Sequence, residues 1–307
     1  MTMAKIALLP DRGVVSVMGD DARKLLQGVI TNDMAAFDQG MAAIHAGLLT
    51  PQGKILFEFF VAAVPGGYLL ETNRQSAGEL ARRMMLYKLR AKAEIKDVSS
   101  AHSVAVVWGD PQKSWPWQDT ANTQNFCKSL VWFEDPRDRR LGQRLILTMA
   151  TDWIVAEAGA EAAPADSYHV HRIALGVPQG GRDYPLGDTF PHEADFDLFA
   201  GVSFTKGCFV GQEVVARMEN KSVIRKRVTG VSGSGLARDV DIKMGDVTIG
   251  TVGSVADQNG LALVRLDRVV EAIDGGLALT AGGAPIAIDA DAIDRYRRSV
   301  EEKAARP

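Results

Sequence analysis

From Ile224 onward the chain runs as short β-branched stretches broken by glycine: Val228 to Val231, Val247 to Val255, Leu261 to Leu266 and Leu277 to Thr280. That spacing predicts a small C-terminal β-barrel or sandwich over 224–298, followed by a charged, flexible tail over 299–307. At 307 residues, 46% of them hydrophobic, the chain exceeds the size at which one core usually stops growing. Further domains are therefore expected upstream, and we place them at 1–100 and 101–223.

The upstream segments mix helix and strand signals. Gly13 to Met18 reads as a strand, Gly19-Asp20-Asp21 as a turn and helix cap, and Ala22 to Val29 as a helix. Ala42 to Leu49 and Ile55 to Val64 flank Thr50-Pro51-Gln52-Gly53-Lys54, whose Pro and Gly suit a hairpin reversal. A strand at Tyr68 to Thr72 precedes an amphipathic helix, Gln75 to Lys92, with a basic outer face made by Arg82, Arg83, Lys88, Arg90 and Lys92. Strands follow at Val104 to Trp108, Leu130 to Phe133 and Leu145 to Thr148, then helical stretches at Asp152 to Ala163 and Ala165 to Leu175. The loop Gln179 to Glu193, rich in Gly, Pro and Asp, is long enough to suggest function.

Composition narrows the compartment and the partners. A formal net charge of -3 gives no global attraction to nucleic acid or anionic lipid. The two cysteines, Cys127 and Cys208, form no CxxC pair, so neither a disulfide framework nor a zinc site is expected. A reducing cytoplasm fits them best. Met1 to Pro10 lacks the basic and long apolar regions of a signal peptide, and no apolar run reaches membrane-spanning length.

The densest functional signal is Lys206-Gly207-Cys208-Phe209-Val210-Gly211-Gln212-Glu213. A nearby cation and flanking amides stabilise a thiolate, so Lys206 makes Cys208 a candidate reactive thiol. An inert buried cysteine is the alternative. Gly211-Gln212-Glu213 ahead of Val214 to Arg217 reads as a helix start, where free amides bind an anion or Glu213 simply complements the dipole. Asn32 and Asp33 end a helix in a polar cluster suited to local capping. His169 and His171, two apart on one helix, diverge and read as surface histidines rather than a metal pair. Glu193 is either a surface carboxylate or a bidentate acceptor for a ring N-H/NH2 edge such as a pterin's.

Together these stretches resemble the YgfZ-type folate-binding proteins, relatives of the glycine-cleavage aminomethyltransferase. The resemblance covers Leu26-Gln27-Gly28 to Asn32-Asp33, Leu49 to Lys54, Arg172 to Pro178, Pro191-His192-Glu193 and Gly201 to Arg217, nearly the whole chain in order. It implies an α+β fold: an aminomethyltransferase-like folate-binding core of two mixed α/β segments around a central cavity, with the C-terminal β-barrel as lid. It also implies tetrahydrofolate bound without being consumed, contacted by Glu193, Tyr168, Arg172, Asn32 and Asp33. Cys208 and Lys206 are then the working pair, framed by Gly207, Phe209, Gly211, Gln212, Glu213 and Arg217. The implied role is assembly or repair of iron-sulfur clusters in client enzymes, through transient contact with iron-sulfur or assembly-machinery proteins, with an indirect effect on tRNA modification. Two cysteines cannot supply the four thiolates of a usual cluster, so no resident metal or cluster is expected.

Two departures qualify the resemblance. The transferases carry an aspartate after the strand that ends near Asn73, where this chain reads Arg74-Gln75-Ser76-Ala77-Gly78-Glu79. Tryptophans that some relatives place against the folate are replaced by Gly13 and Tyr168. A one-carbon transferase is the competing enzyme reading. A tRNA-binding module resting on the basic helix is a third.

Overall fold

A computed structural model describes residues 4–109, 126–127, 130–148 and 159–305. The chain divides into two compact units interleaved in sequence. One comprises Met1–Leu49, Phe57–Tyr168 and Phe199–Val210; the other comprises Thr50–Leu56, His169–Leu198 and Gly211–Pro307.

The first unit is built on two sheets. One has the order β3-β4-β5-β2-β6, from β2 (Arg12–Met18), β3 (Ala43–Leu49), β4 (Ile55–Val64), β5 (Gly67–Asn73) and β6 (Glu94–Asp97). The other has the order β11-β1-β7-β10-β9-β8, from β1 (Lys5–Leu8), β7 (His102–Trp108), β8 (Phe126–Cys127), β9 (Leu130–Glu134), β10 (Gln143–Thr148) and β11 (Glu161–Ala162). Strand β2 is buried almost throughout, Val14, Val15 and Val17 showing no exposed surface. It lies antiparallel between β5 and β6. Helix α1 (Ala22–Val29) turns Ala22, Leu25, Leu26 and Val29 inward, and α2 (Ala77–Lys88) turns Ala77, Leu80, Ala81 and Met84 inward. Helix α1 follows the helical spacing read from the sequence, whereas α2 is shorter than the expected Gln75 to Lys92 and buries Leu80 and Met84 but leaves Leu86 and Leu89, expected on the same apolar face, exposed.

The second unit carries α3 (Ala165–Ala174) for most of its length, α4 (Gln212–Lys221), and a closed barrel in the order β12-β15-β14-β13-β16-β17. Its strands are β12 (Lys226–Gly233), β13 (Asp241–Met244), β14 (Val247–Ala256), β15 (Asn259–Arg265), β16 (Leu279–Ala281) and β17 (Ala284–Ile288). Closure leaves no unpaired edge. Helix α5 (Leu266–Asp274) buries Leu266, Val269 and Ala272 with Val231, Ile242, Val252 and Val264 of the barrel. Helix α6 (Ala290–Ala304) adds Ala292 to the same core.

The sequence reading missed both of these helices. Leu266 belongs to α5 and not to a strand, and the supposedly frayed tail is helical to Ala304. The expected helix Asp152 to Ala163 falls largely outside the described residues, and its described end, Glu161–Ala162, pairs in parallel with β1. His169, expected at the surface, is buried.

Candidate functional site

In the first unit Lys206 is buried, and its Nζ donates to three carbonyl oxygens: Gln27 at 2.8 Å, Ile30 at 2.7 Å and Asn32 at 2.8 Å. These lie at and just beyond the C-terminus of α1, where carbonyls lack helical partners and a cation is favoured. Burial pulls the ammonium down to about 8, against the attraction of Asp33. The surrounding loop is tied to the same place. Thr31 Oγ1 donates to the Gly201 carbonyl at 2.6 Å, Asn32 Nδ2 to the Ala200 carbonyl at 2.6 Å, and the Ser203 N–H to the Thr31 carbonyl at 3.0 Å.

Two stretches that the sequence separates by 168 to 179 residues therefore form one structure. Asp33 caps the short 3-10 helix Met34–Gln39 by accepting the Ala35 N–H, and it also accepts from Gln27 Nε2. Asn32 and Asp33 thus build this corner of the chain. Cys208 is exposed, as is Gly207. Phe209 is buried, its ring centroid 5.1 Å from Lys206 Nζ. The arrangement presents a thiol at the surface of a loop whose base is fixed by one cation.

A second feature of the first unit was missed in the sequence. Glu71 of β5 accepts from Arg12 Nε at 2.8 Å and from Arg144 Nε at 2.7 Å, and Arg144 Nη1 reaches Asp135 Oδ2 at 3.3 Å. Asp135 accepts from Arg137 Nη2 at 2.8 Å, and Arg137 lies 3.8 Å from Glu58, whose Oε1 is 3.0 Å from His45 Nε2. All seven side chains are almost wholly buried. Burial alone would raise Glu71, but Arg144 and Arg12 outweigh it and hold the carboxyl below its ordinary range. Asp135 is held down in the same way, chiefly by Arg137. Tyr168 sits at this network with its hydroxyl 3.3 Å from Arg144 Nη1 and its ring edge-on to Trp108. It is 2% exposed. The available signal was a single charge inside each of the apolar runs 55–64, 67–73 and 143–148, where strand alternation gives it no route to solvent.

The second unit holds the remaining candidates. Gly211 is the N-cap of α4 at φ 81°, with Glu213 in the first turn. A β-carbon on Gly211 would stand 2.6 Å from the Thr50 carbonyl and 2.9 Å from Gly53 Cα; one on Gly53 (φ 82°) would stand 2.9 Å from Val214 Cβ. The predicted hairpin Thr50 to Lys54, closed by the Lys54 carbonyl on the Thr50 N–H at 2.8 Å, thus packs backbone to backbone on the start of α4. Gln212 is half-buried, and Glu213 and Arg217 are exposed.

Arg172 is 1% exposed and clamps the following loop. It donates to the Val177 carbonyl, to Asp183 at 2.6 Å and to Ser254 Oγ at 2.9 Å. Its Nε and the Gln179 Nε2 are buried without a partner. Glu193 accepts the Phe190 N–H at 2.9 Å through Oε2, and burial raises its carboxyl. His192 lies 3.0 Å from Glu219. Asp195 and Asp197 share Arg227 at 2.8 Å and 2.7 Å, and burial pushes Asp195 up to about 7 against that guanidinium. Among the described residues no three His, Cys, Asp or Glu side chains converge to hold a metal ion.

Comparison with known proteins agrees with this architecture. Residues 225–292 match the family model described as CAF17, C-terminal beta-barrel domain. The chain is 31% identical over 283 residues to the mouse protein named iron-sulfur cluster assembly factor IBA57, mitochondrial, covering 85% of this chain and 77% of that one. It is 34% identical to the IBA57 homolog of Mycosarcoma maydis over 74% of this chain, and 30% identical to that of Neurospora crassa over 73%. It spans only 57% and 53% of those two proteins. The crystal structure of the glycine cleavage system aminomethyltransferase T from Bartonella henselae superposes with a TM-score of 0.72 over 94% of this chain and 85% of that one, at 14% identity. That likeness establishes an aminomethyltransferase-like α+β fold, as expected from the sequence. With two sheets, a closed C-terminal barrel and 31% identity across most of a named relative, the chain belongs to the IBA57 family.

Proposed function

We propose that this protein is a tetrahydrofolate-binding accessory factor that supports assembly or repair of iron-sulfur clusters, acting in a reducing cytoplasm as a YgfZ-type member of its family. The carrying observation is the exposed Cys208 thiol on a loop fixed by buried Lys206, in a chain whose relatives are named as cluster assembly factors. One exposed thiol suits brief contact with a cluster that a client or assembly protein also ligates. Altered tRNA modification would follow indirectly, from cluster-dependent enzymes.

For the folate, the support is the chemical type of three groups in the second unit. Glu193 uses Oε2 on the Phe190 N–H, leaving Oε1 for a ring N–H edge, and the buried Arg172 Nε and Gln179 Nε2 still lack acceptors. Tetrahydrofolate, when bound, supplies a one-carbon carrier. The chain's residues give little support for aminomethyl transfer. Arg74 stands after β5 and donates to the Arg12 and Ser99 carbonyls, while Glu79 is exposed and paired with Arg82.

Complementation of a strain lacking the protein tests the thiol. Cys208→Ser is expected to keep the melting temperature, because the side chain is exposed, yet to lose the activity of cluster-dependent enzymes. Full complementation by Cys208→Ser would remove the thiol from the mechanism. An isolated defect in glycine breakdown would instead favour the transferase reading.

A further inference from the structure

Helix α2 turns Leu80, Ala81 and Met84 to the core, and its C-terminal end does the opposite. Met85, Leu86 and Leu89 are 49%, 67% and 88% exposed. They stand in the stretch Arg82 to Lys92, which holds five cations and no carboxylate. Only Arg82 has an ion-pair partner among the described residues, Glu79 at 2.7 Å.

Leu89 adds a backbone anomaly. The Ala91 N–H donates to the Lys88 carbonyl at 2.8 Å, closing a turn in which Leu89 occupies the second position at φ 47°, ψ -110°. That is the geometry of a type II′ turn, where glycine is the usual residue because a β-carbon crowds the backbone. Leucine strains the turn and gains almost no packing within its unit, so the side chain's apolar surface is held outward at a conformational cost. Strain of this kind concentrates where a surface meets a ligand.

We propose that this tip is an anchor for an anionic lipid surface. Leu86 and Leu89 enter the boundary between headgroups and acyl chains, with Met85 beside them, while Lys88, Arg90 and Lys92 meet the lipid phosphates. Protruding leucines at these exposures offer no groove to a partner's side chain, whereas a lipid layer deforms around them. A nucleic acid would use the cations and leave the leucines in water. The chain's net charge of -3 does not oppose this, since attraction to a surface decays within about 10 Å and is set by the local patch. The proposal is independent of the iron-sulfur reading.

Sedimentation of the full-length protein with phosphatidylcholine vesicles, with and without phosphatidylglycerol, tests it. Binding is expected only to the anionic vesicles and should weaken with salt. Leu86→Glu with Leu89→Glu, and separately Arg90→Glu with Lys92→Glu, should each lower vesicle affinity by about tenfold or more at unchanged circular dichroism. Leu89→Gly keeps every cation and relaxes the turn, so the melting temperature should rise while vesicle binding falls. The proposal is overturned by failure to bind anionic vesicles, or by binding that the leucine variants leave intact. Retention of a transfer RNA probe in place of vesicles, lost in the charge variants and kept in the leucine variants, would assign the patch to nucleic acid.

Discussion

Lys206 shows what one buried cation does to a loop. Its three donors are fully engaged on the Gln27, Ile30 and Asn32 carbonyls, so it fixes the approach of the Cys208 loop to the end of α1. Lys206→Met leaves those acceptors unsatisfied, and urea titration should show a loss of about 2–4 kcal/mol. A loss below about 0.5 kcal/mol would mean that other contacts hold the loop. The sequence singles out Lys206 for the thiol chemistry that a neighbouring cation favours, whereas in the structure its donors go to backbone carbonyls. The carbonyl cage around the ammonium was not legible, because its three acceptors lie 174 to 179 residues away along the chain.

Among the elements, α4 and the hairpin before it depend on two glycines whose backbones touch. Gly211→Ala should destabilise the protein by about 1–3 kcal/mol, combining a strained positive φ with a clash on Thr50 and Gly53. Gly207→Ala meets nothing within 4 Å and should be nearly neutral in the same thermal melt. Equal effects would show that the motif's glycines serve something other than this packing. The segment before β12 carries a pH dependence. Asp195 has a folded value of about 7, above the ordinary 3.8, so the folded state holds its proton through that interval. Its contribution to stability is complete below about pH 4 and is lost as pH rises towards 7. Asp195→Asn should therefore flatten the stability profile between pH 4 and 7, as measured by chemical denaturation across that range. An unchanged slope would mean that Arg227 keeps the carboxylate ionised throughout.

At the scale of the whole molecule, folate binding is measurable without turnover. A ligand that binds only the folded chain raises its stability, by about 2.7 kcal/mol at a hundred times the dissociation constant. Tetrahydrofolate should raise the melting temperature, and Glu193→Gln should weaken calorimetric binding by roughly 1.5–3 kcal/mol. An unchanged dissociation constant would exclude Glu193 as a contact.

Local periodicity alone determined much of this protein. The short runs after Ile224, the turn at Thr50 to Lys54 and the helical spacing of Ala22 to Val29 each carry their structure within a few residues. The same kind of signal was present and overlooked in α5, where Leu266, Val269 and Ala272 recur on one face. Tertiary structure alone decided which charges meet. Arg12, Glu71, Arg144 and Asp135 come from separate strands and a loop, and each would be prohibitively costly to bury alone. Only sheet pairing and packing bring Glu71 within 2.8 Å of Arg12 and 2.7 Å of Arg144. No pattern of period two or 3.6 encodes a partner 59 or 73 residues distant.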